Sequence, residues 1–191
     1  MDGRFVSEIT MGPVVARAVR RATSLPVDVH LMIVEPERQL RAFAAAGATS
    51  IAVHEEACPH LYQAVQEIRA LDLLPWVALN PATPPAAIEW VLPLLAGVLV
   101  MTVEPGSGGQ PFLREMVAKI RAVADLRAAS GLRFEIAVDG GIGPATARAV
   151  VEAGASVLVA GTAVFGAPDG VGPAISRLRR AAGTAGGGRE P

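Results

Sequence analysis

Stretches of two-residue period alternate with stretches spaced at three and four residues along most of this chain, and that alternation constrains the fold more than any other feature. Val27, Val29 and Leu31 face one way and Asp28, His30 and Met32 the other, as in a strand. Ile51–His54 and Leu74–Leu79 read as strands, the second stopped by Asn80-Pro81. Gly97–Val103 is continuously apolar, as in a strand buried on both faces of a parallel sheet. Phe134, Ile136 and Val138 alternate with Glu135, Ala137 and Asp139, and Ser156–Ala160 reads as the last strand. Helices are expected from Val14 to near Arg21, from Pro36 onward, through Leu61, Val65, Ile68 and Leu71, and over Ala86–Leu92. Three more follow: one marked by Phe112, Met116, Ile120 and Val123, one over Pro144–Ala153, and one over Val171–Ala182.

Repeated βα units predict a parallel sheet, open or closed into a barrel. Ala46-Gly-Ala-Thr49 and Ala153-Gly-Ala-Ser156 each precede a strand, a faint internal echo. A full eight-stranded barrel takes about 250 residues, and this chain has 191. The expected fold is therefore α/β: a TIM (β/α)8 barrel, incomplete, with about six full βα units. Residues 1–182 form one such domain lacking its N-terminal part, and 183–191 a flexible, glycine-rich tail.

Composition excludes several classes. The net charge of -1, with no basic face, argues against nucleic acid as a partner. The most apolar run, Val91–Val103, is broken by Pro93 and too short to span a bilayer. No secretory signal opens the chain. Its single cysteine, Cys58, cannot pair internally and reads as a residue opening a helix; it fits a reducing cytoplasm, which is the expected location.

In a βα barrel the chemistry sits at the carboxyl ends of the strands. Asp139 ends a strand, is followed by Gly140 and Gly141, and can serve proton transfer or anion binding. His30 and Asp139 are a histidine and a carboxylate, a metal pair that needs further ligands. Three glycine-bearing turns follow successive strands: Gly106-Ser107-Gly108-Gly109, Gly140-Gly141 and Gly161-Thr162. Glycine lets backbone amides approach an anion closely, and barrels bind phosphate in the loops after their last strands. None of these turns holds a lysine or arginine, so amides would do the holding.

Val27-Asp-Val-His-Leu-Met32, Ala78-Leu-Asn-Pro-Ala-Thr83, Met101-Thr-Val-Glu-Pro-Gly-Ser-Gly-Gly-Gln110, Val138-Asp-Gly-Gly-Ile142 and Val159-Ala-Gly-Thr-Ala-Val-Phe165 together resemble the ribulose-phosphate 3-epimerase family. Met1-Asp-Gly-Arg-Phe-Val6 is similar to a segment that family carries just after its second strand. The resemblance runs in order from Met1 to about Phe165. It implies a metal-dependent barrel that converts D-ribulose 5-phosphate to D-xylulose 5-phosphate at C3 through an enediolate, with one divalent ion (Zn, Fe, Mn or Co). A hexulose phosphate such as allulose 6-phosphate is the alternative substrate, and an inactive phosphosugar-binding protein the alternative class. The partner implied is a small phosphorylated ketose.

By the match, Asp139 is one of two acids and a metal ligand, and His30 is a metal ligand. Met32 and Met101 cover the reacting carbons. Gly106, Ser107, Gly108, Gly109, Gly140, Gly141, Gly161 and Thr162 correspond to the phosphate-binding turns, with Ser107 in place of the family's usual phenylalanine. The family's preceding His-x-Asp pair supplies two more ligands and the second acid, and a serine on its first strand also touches substrate; no residue here matches them. Asp2 corresponds to a non-catalytic aspartate. The expectation is that the true start lies upstream and that the open parallel edges favour a homo-oligomer. Decarboxylases of similar shape carry an Asp-x-Lys-x-x-Asp motif, but the matching stretch here is Asp28-Val-His-Leu-Met32, without lysine. His54 matches no ligand and reads as structural, and Glu55 and Glu56 as solvated.

Overall fold

The computed structural model describes residues 1–183, so the tail expected at 183–191 lies, beyond Gly183, outside the described residues. The elements in chain order are α1 (Pro13–Ala22), β1 (Asp28–Leu31), α2 (Leu40–Ala45), β2 (Ser50–His54), α3 (Leu61–Ala70), β3 (Leu74–Leu79) and β4 (Gly97–Met101). There follow α4 (Met116–Ser130), β5 (Glu135–Asp139), α5 (Pro144–Glu152), β6 (Val157–Val159), α6 (Thr162–Phe165) and α7 (Val171–Ala181). Pro13 and Pro144 open their helices at the first position, where the missing N–H costs nothing.

The strands form one parallel sheet in sequence order, β1 to β6, curled into a half-barrel. Alternation within each strand divides the sheet into two faces. Val77, Leu79, Val98, Val100, Ile136 and Val138 point outward into a core shared with Ile120, Val123, Ala147, Val150 and Leu178 of α4, α5 and α7. Ile51 and Val53 pack a second outer cluster with Leu40, Phe43, Ala64 and Ile68. Each large side chain so buried stabilises by about 1.5–3 kcal/mol. The concave face carries small or adaptable residues: Ala52, Ala78, Leu99, Met101 and Ala137, with Trp76 packed against them. Gly97 makes room for that indole, since a Cβ there would sit 2.2 Å from Trp76 Cζ3.

Several expected elements differ. Ala86–Leu92 is not one helix but two 3-10 turns, Pro85–Ile88 and Leu92–Leu94, and Pro93 in the second has no N–H with which to continue a helical ladder. The helix expected to include Phe112 begins at Met116, because Leu113 N–H bonds Thr102 O at 2.9 Å and draws the preceding residues into the loop after β4. The Pro36 helix starts as a 3-10 turn, Pro36–Arg38, before α2. Helix α1 has no buried residue; Val14 is 80% exposed, and its neighbours Val15 and Val19 border an apolar cavity of about 550 Å³ beside β1. Among the described residues no helix is long and apolar enough to cross a membrane.

Candidate active site

Register places four functional side chains on the concave face at the carboxyl ends of strands. His30 pairs with Ala52 and His54 with Ala78, two rungs up, while Met101 stands opposite Asp139 on adjacent strands. Beyond the strand ends, Thr102 N–H donates to Asp139 O at 2.8 Å, and Thr102 Oγ1 donates to Asp139 O at 2.9 Å and Gly140 O at 2.5 Å. Thr102 is fully buried and fixes the backbone that carries Asp139. Nothing in the residue pattern singles it out beyond its place after an apolar strand.

The three glycine-bearing turns meet around one cavity of about 270 Å³. Met32, Met101, Gly106, Ser107, Gly108, Gly109, Asp139, Gly140, Gly141, Gly161 and Thr162 all line it. No lysine or arginine is among its lining residues. Gly140 (φ +117) and Gly141 (φ +64) hold conformations that side chains rarely adopt; a Cβ at Gly140 would lie 2.4 Å from Val103 Cγ2. Gln110 Nε2 donates to Glu104 O at 2.7 Å and Ser107 O at 2.9 Å, closing the loop after β4 on itself. Ser107 Oγ donates to Glu8, which ties that loop to the N-terminal segment. Asp2 is a turn cap: its carboxylate accepts the amides of Arg4, Phe5 and Val34, each at 2.9 Å, as suits a non-catalytic aspartate.

His30 stands between Asp139, which lines this cavity, and a chain of polar groups made by His54 and Glu56. His30 Nδ1 lies 3.6 Å from Asp139 Oδ2. His30 Nε2 lies 2.8 Å from His54 Nε2, and His54 Nδ1 lies 3.2 Å from Glu56 Oε2. His54 is fully buried, which pushes its imidazole below the usual range; Glu56 pulls the other way without restoring it. Glu56 is exposed, as expected, but its side chain is less solvated than that reading implies. Its backbone is at the surface, but its side chain turns inward and accepts Asn80 N–H at 2.8 Å and the Thr83 hydroxyl. Burial acts to raise its pKa, but the bonds from His54, Thr83 and the backbone outweigh that and hold the carboxyl at about 2. His54 is structural in that it is buried, yet it touches His30. The available signal was a histidine ending a strand with a carboxylate two residues on. Glu55, by contrast, makes no such bond, and partial burial beside Glu56 raises its pKa.

Among the described residues no three His, Cys, Asp or Glu side chains converge as a metal cluster, so His30 and Asp139 stand as a pair. Their donor set suits a borderline divalent ion. Bonds of about 2.1 Å at a tetrahedral angle put two ligand atoms roughly 3.4 Å apart, close to the 3.6 Å observed. The pair fits two ligands of such an ion and leaves other positions to be filled.

Residues 1–165 match the model of the ribulose-phosphate 3 epimerase family. The chain belongs to that family. It is 50% identical over 171 residues to the chloroplastic ribulose-5-phosphate-3-epimerase of Arabidopsis thaliana, covering 88% of this chain and 61% of that one. It is 49% identical over 180 residues to the ribulose-phosphate 3-epimerase of Bacillus subtilis (strain 168), covering 94% and 82%. This member of the epimerase family therefore spans less than two thirds of its plant relative. Among solved structures, a 3-hexulose-6-phosphate synthase superposes with a TM-score of 0.69 at 26% identity, over 88% of this chain and 80% of that one. KGPDC from Streptococcus mutans superposes at 0.66 and 14% identity, over 86% and 77%, a likeness of fold alone.

Proposed function

We propose that this chain acts on D-ribulose 5-phosphate at C3, forming D-xylulose 5-phosphate, with Asp139 as the base for one face. The observation that carries the reading is the position of Asp139. It lines the glycine-rich cavity and also faces His30. The phosphate would rest on the amides of Gly106–Gly109, Gly140, Gly141, Gly161 and Thr162, which need no cation because the amides supply the partial charge. The sugar would then run toward Met32 and Met101, whose thioethers line the cavity and exclude water from the reacting carbons.

The C3 proton is acidified by the C2 carbonyl, and Asp139 removes it to give an enediolate. The same carboxyl can return a proton to that face; inversion requires a proton on the other face, and since the described residues hold no second acid there, water would deliver it. His30 and Asp139 would hold the divalent ion, which when bound would offset negative charge developing on the substrate oxygens. Support comes from the family match and from the arrangement of Asp139, His30 and the three turns. The test is incubation of the purified chain with D-ribulose 5-phosphate and Mn²⁺, Zn²⁺, Fe²⁺ or Co²⁺, with D-xylulose 5-phosphate as the readout. Formation of that product supports the reading; none with any of the four ions overturns it. Allulose 6-phosphate run in parallel would show which sugar length is preferred.

A further inference from the structure

The geometry points to His54 and Glu56 as positioning residues that decide which nitrogen of His30 is bare. The inference rests on the reading of His30 as a ligand, and its logic is a count of protons along one chain. Glu56 Oε1 accepts Asn80 N–H at 2.8 Å, and Oε2 faces His54 Nδ1 at 3.2 Å. A carboxylate only accepts, so the proton in that contact belongs to His54 Nδ1. The neutral His54 ring is then bare at Nε2. His30 Nε2 lies 2.8 Å away, with the ring planes 21° apart and the centroids 4.9 Å apart, so the rings meet nitrogen to nitrogen and not face to face. Such a contact holds one proton: two would clash and none would set lone pairs against each other. With His54 bare there, the proton sits on His30 Nε2.

His30 Nδ1 is therefore left with its lone pair, and it is this nitrogen that faces Asp139 Oδ2. Asp139 alone would favour a proton on Nδ1. The 2.8 Å bond to His54 is much shorter than the 3.6 Å approach of Asp139, and it wins. Full burial and the Phe5 ring, 4.6 Å from His54 centroid to centroid, keep His54 from turning. Glu56, which touches neither His30 nor the cavity, thus holds His30 in the form able to bind a cation beside Asp139.

The test reads protons directly. In metal-free, ¹⁵N-labelled protein at pH 8, long-range ¹H–¹⁵N correlations should show His30 protonated at Nε2 and bare at Nδ1, and His54 the reverse. Glu56→Gln preserves size. Its oxygen is needed by Asn80 N–H, a donor with no alternative role, so its NH2 group faces His54 Nδ1 and makes that nitrogen an acceptor. Both rings should then invert, His30 carrying its proton on Nδ1, and Mn²⁺ or Zn²⁺ affinity by calorimetry should fall about 10–100-fold. Wild-type His30 protonated at Nδ1, or an unchanged His30 pattern in Glu56→Gln, would overturn the inference. Neither readout involves substrate. Failure to turn over ribulose 5-phosphate would refute the proposed function and leave the proton arrangement standing.

Discussion

His30 Nδ1 lies 3.6 Å from Asp139 Oδ2, although the two stand on the first and fifth strands of the sheet. Four strand spacings in a flat sheet would separate them by roughly 19 Å. The curl of the sheet closes that distance and creates the site. It follows from the side chains: small residues, Ala52, Ala78 and Ala137, line the concave face, while branched and larger ones fill the convex face under the helices.

Gly140→Ala should be costly. The residue sits at φ +117, and its Cβ would meet Val103 Cγ2 at 2.4 Å and Val103 N at 2.9 Å. Strain and overlap together should destabilise by about 2–4 kcal/mol, measured by urea unfolding. Gly109→Ala, at φ +78 with open space around it, should cost only about 1 kcal/mol.

Acid should weaken the fold through Glu56. Its folded pKa is depressed, from an ordinary 4.5 to about 2, so its contribution is fully present above 4.5 and is lost as pH falls from there toward 2. Discounted for solvent screening, that contribution is about 1–2 kcal/mol. The stability gap between wild type and Glu56→Gln should therefore be larger at pH 7 than at pH 3, as urea titrations at both values would show.

Cys58 should be inert. Burial, with Glu37, Glu55 and Glu56 nearby, pushes its thiol up to about 12. At pH 8 native protein should react with iodoacetamide more than about 100-fold slower than urea-unfolded protein, followed by mass spectrometry.

Much of this arrangement was legible in the residues. The alternation through Phe134–Asp139 located β5 and put Asp139 at its carboxyl end, and the glycine turns after β4, β5 and β6 do meet around one cavity. What was hidden depends on contacts between distant segments. Glu56 reads as a surface acid because its partners, Asn80 and Thr83, lie 24 and 27 residues on. His54 reads as an interior histidine because nothing local shows that it meets His30 across β1 and β2. Ala86–Leu92 has helical composition, but Pro93 has no N–H to carry a ladder onward, and the segment forms short 3-10 turns.

The central claim is that Asp139 moves the C3 proton of a phosphorylated ketose. The direct measurement is deuterium incorporation at C3 of D-ribulose 5-phosphate in heavy water with a divalent ion, by NMR, for wild type and Asp139→Asn. The Asp139 side chain is 25% exposed, so the substitution should leave the fold intact, which thermal unfolding would verify. Wild type should load deuterium at C3, and Asp139→Asn should do so about 100-fold or more slowly. Equal rates in the two proteins would contradict the account.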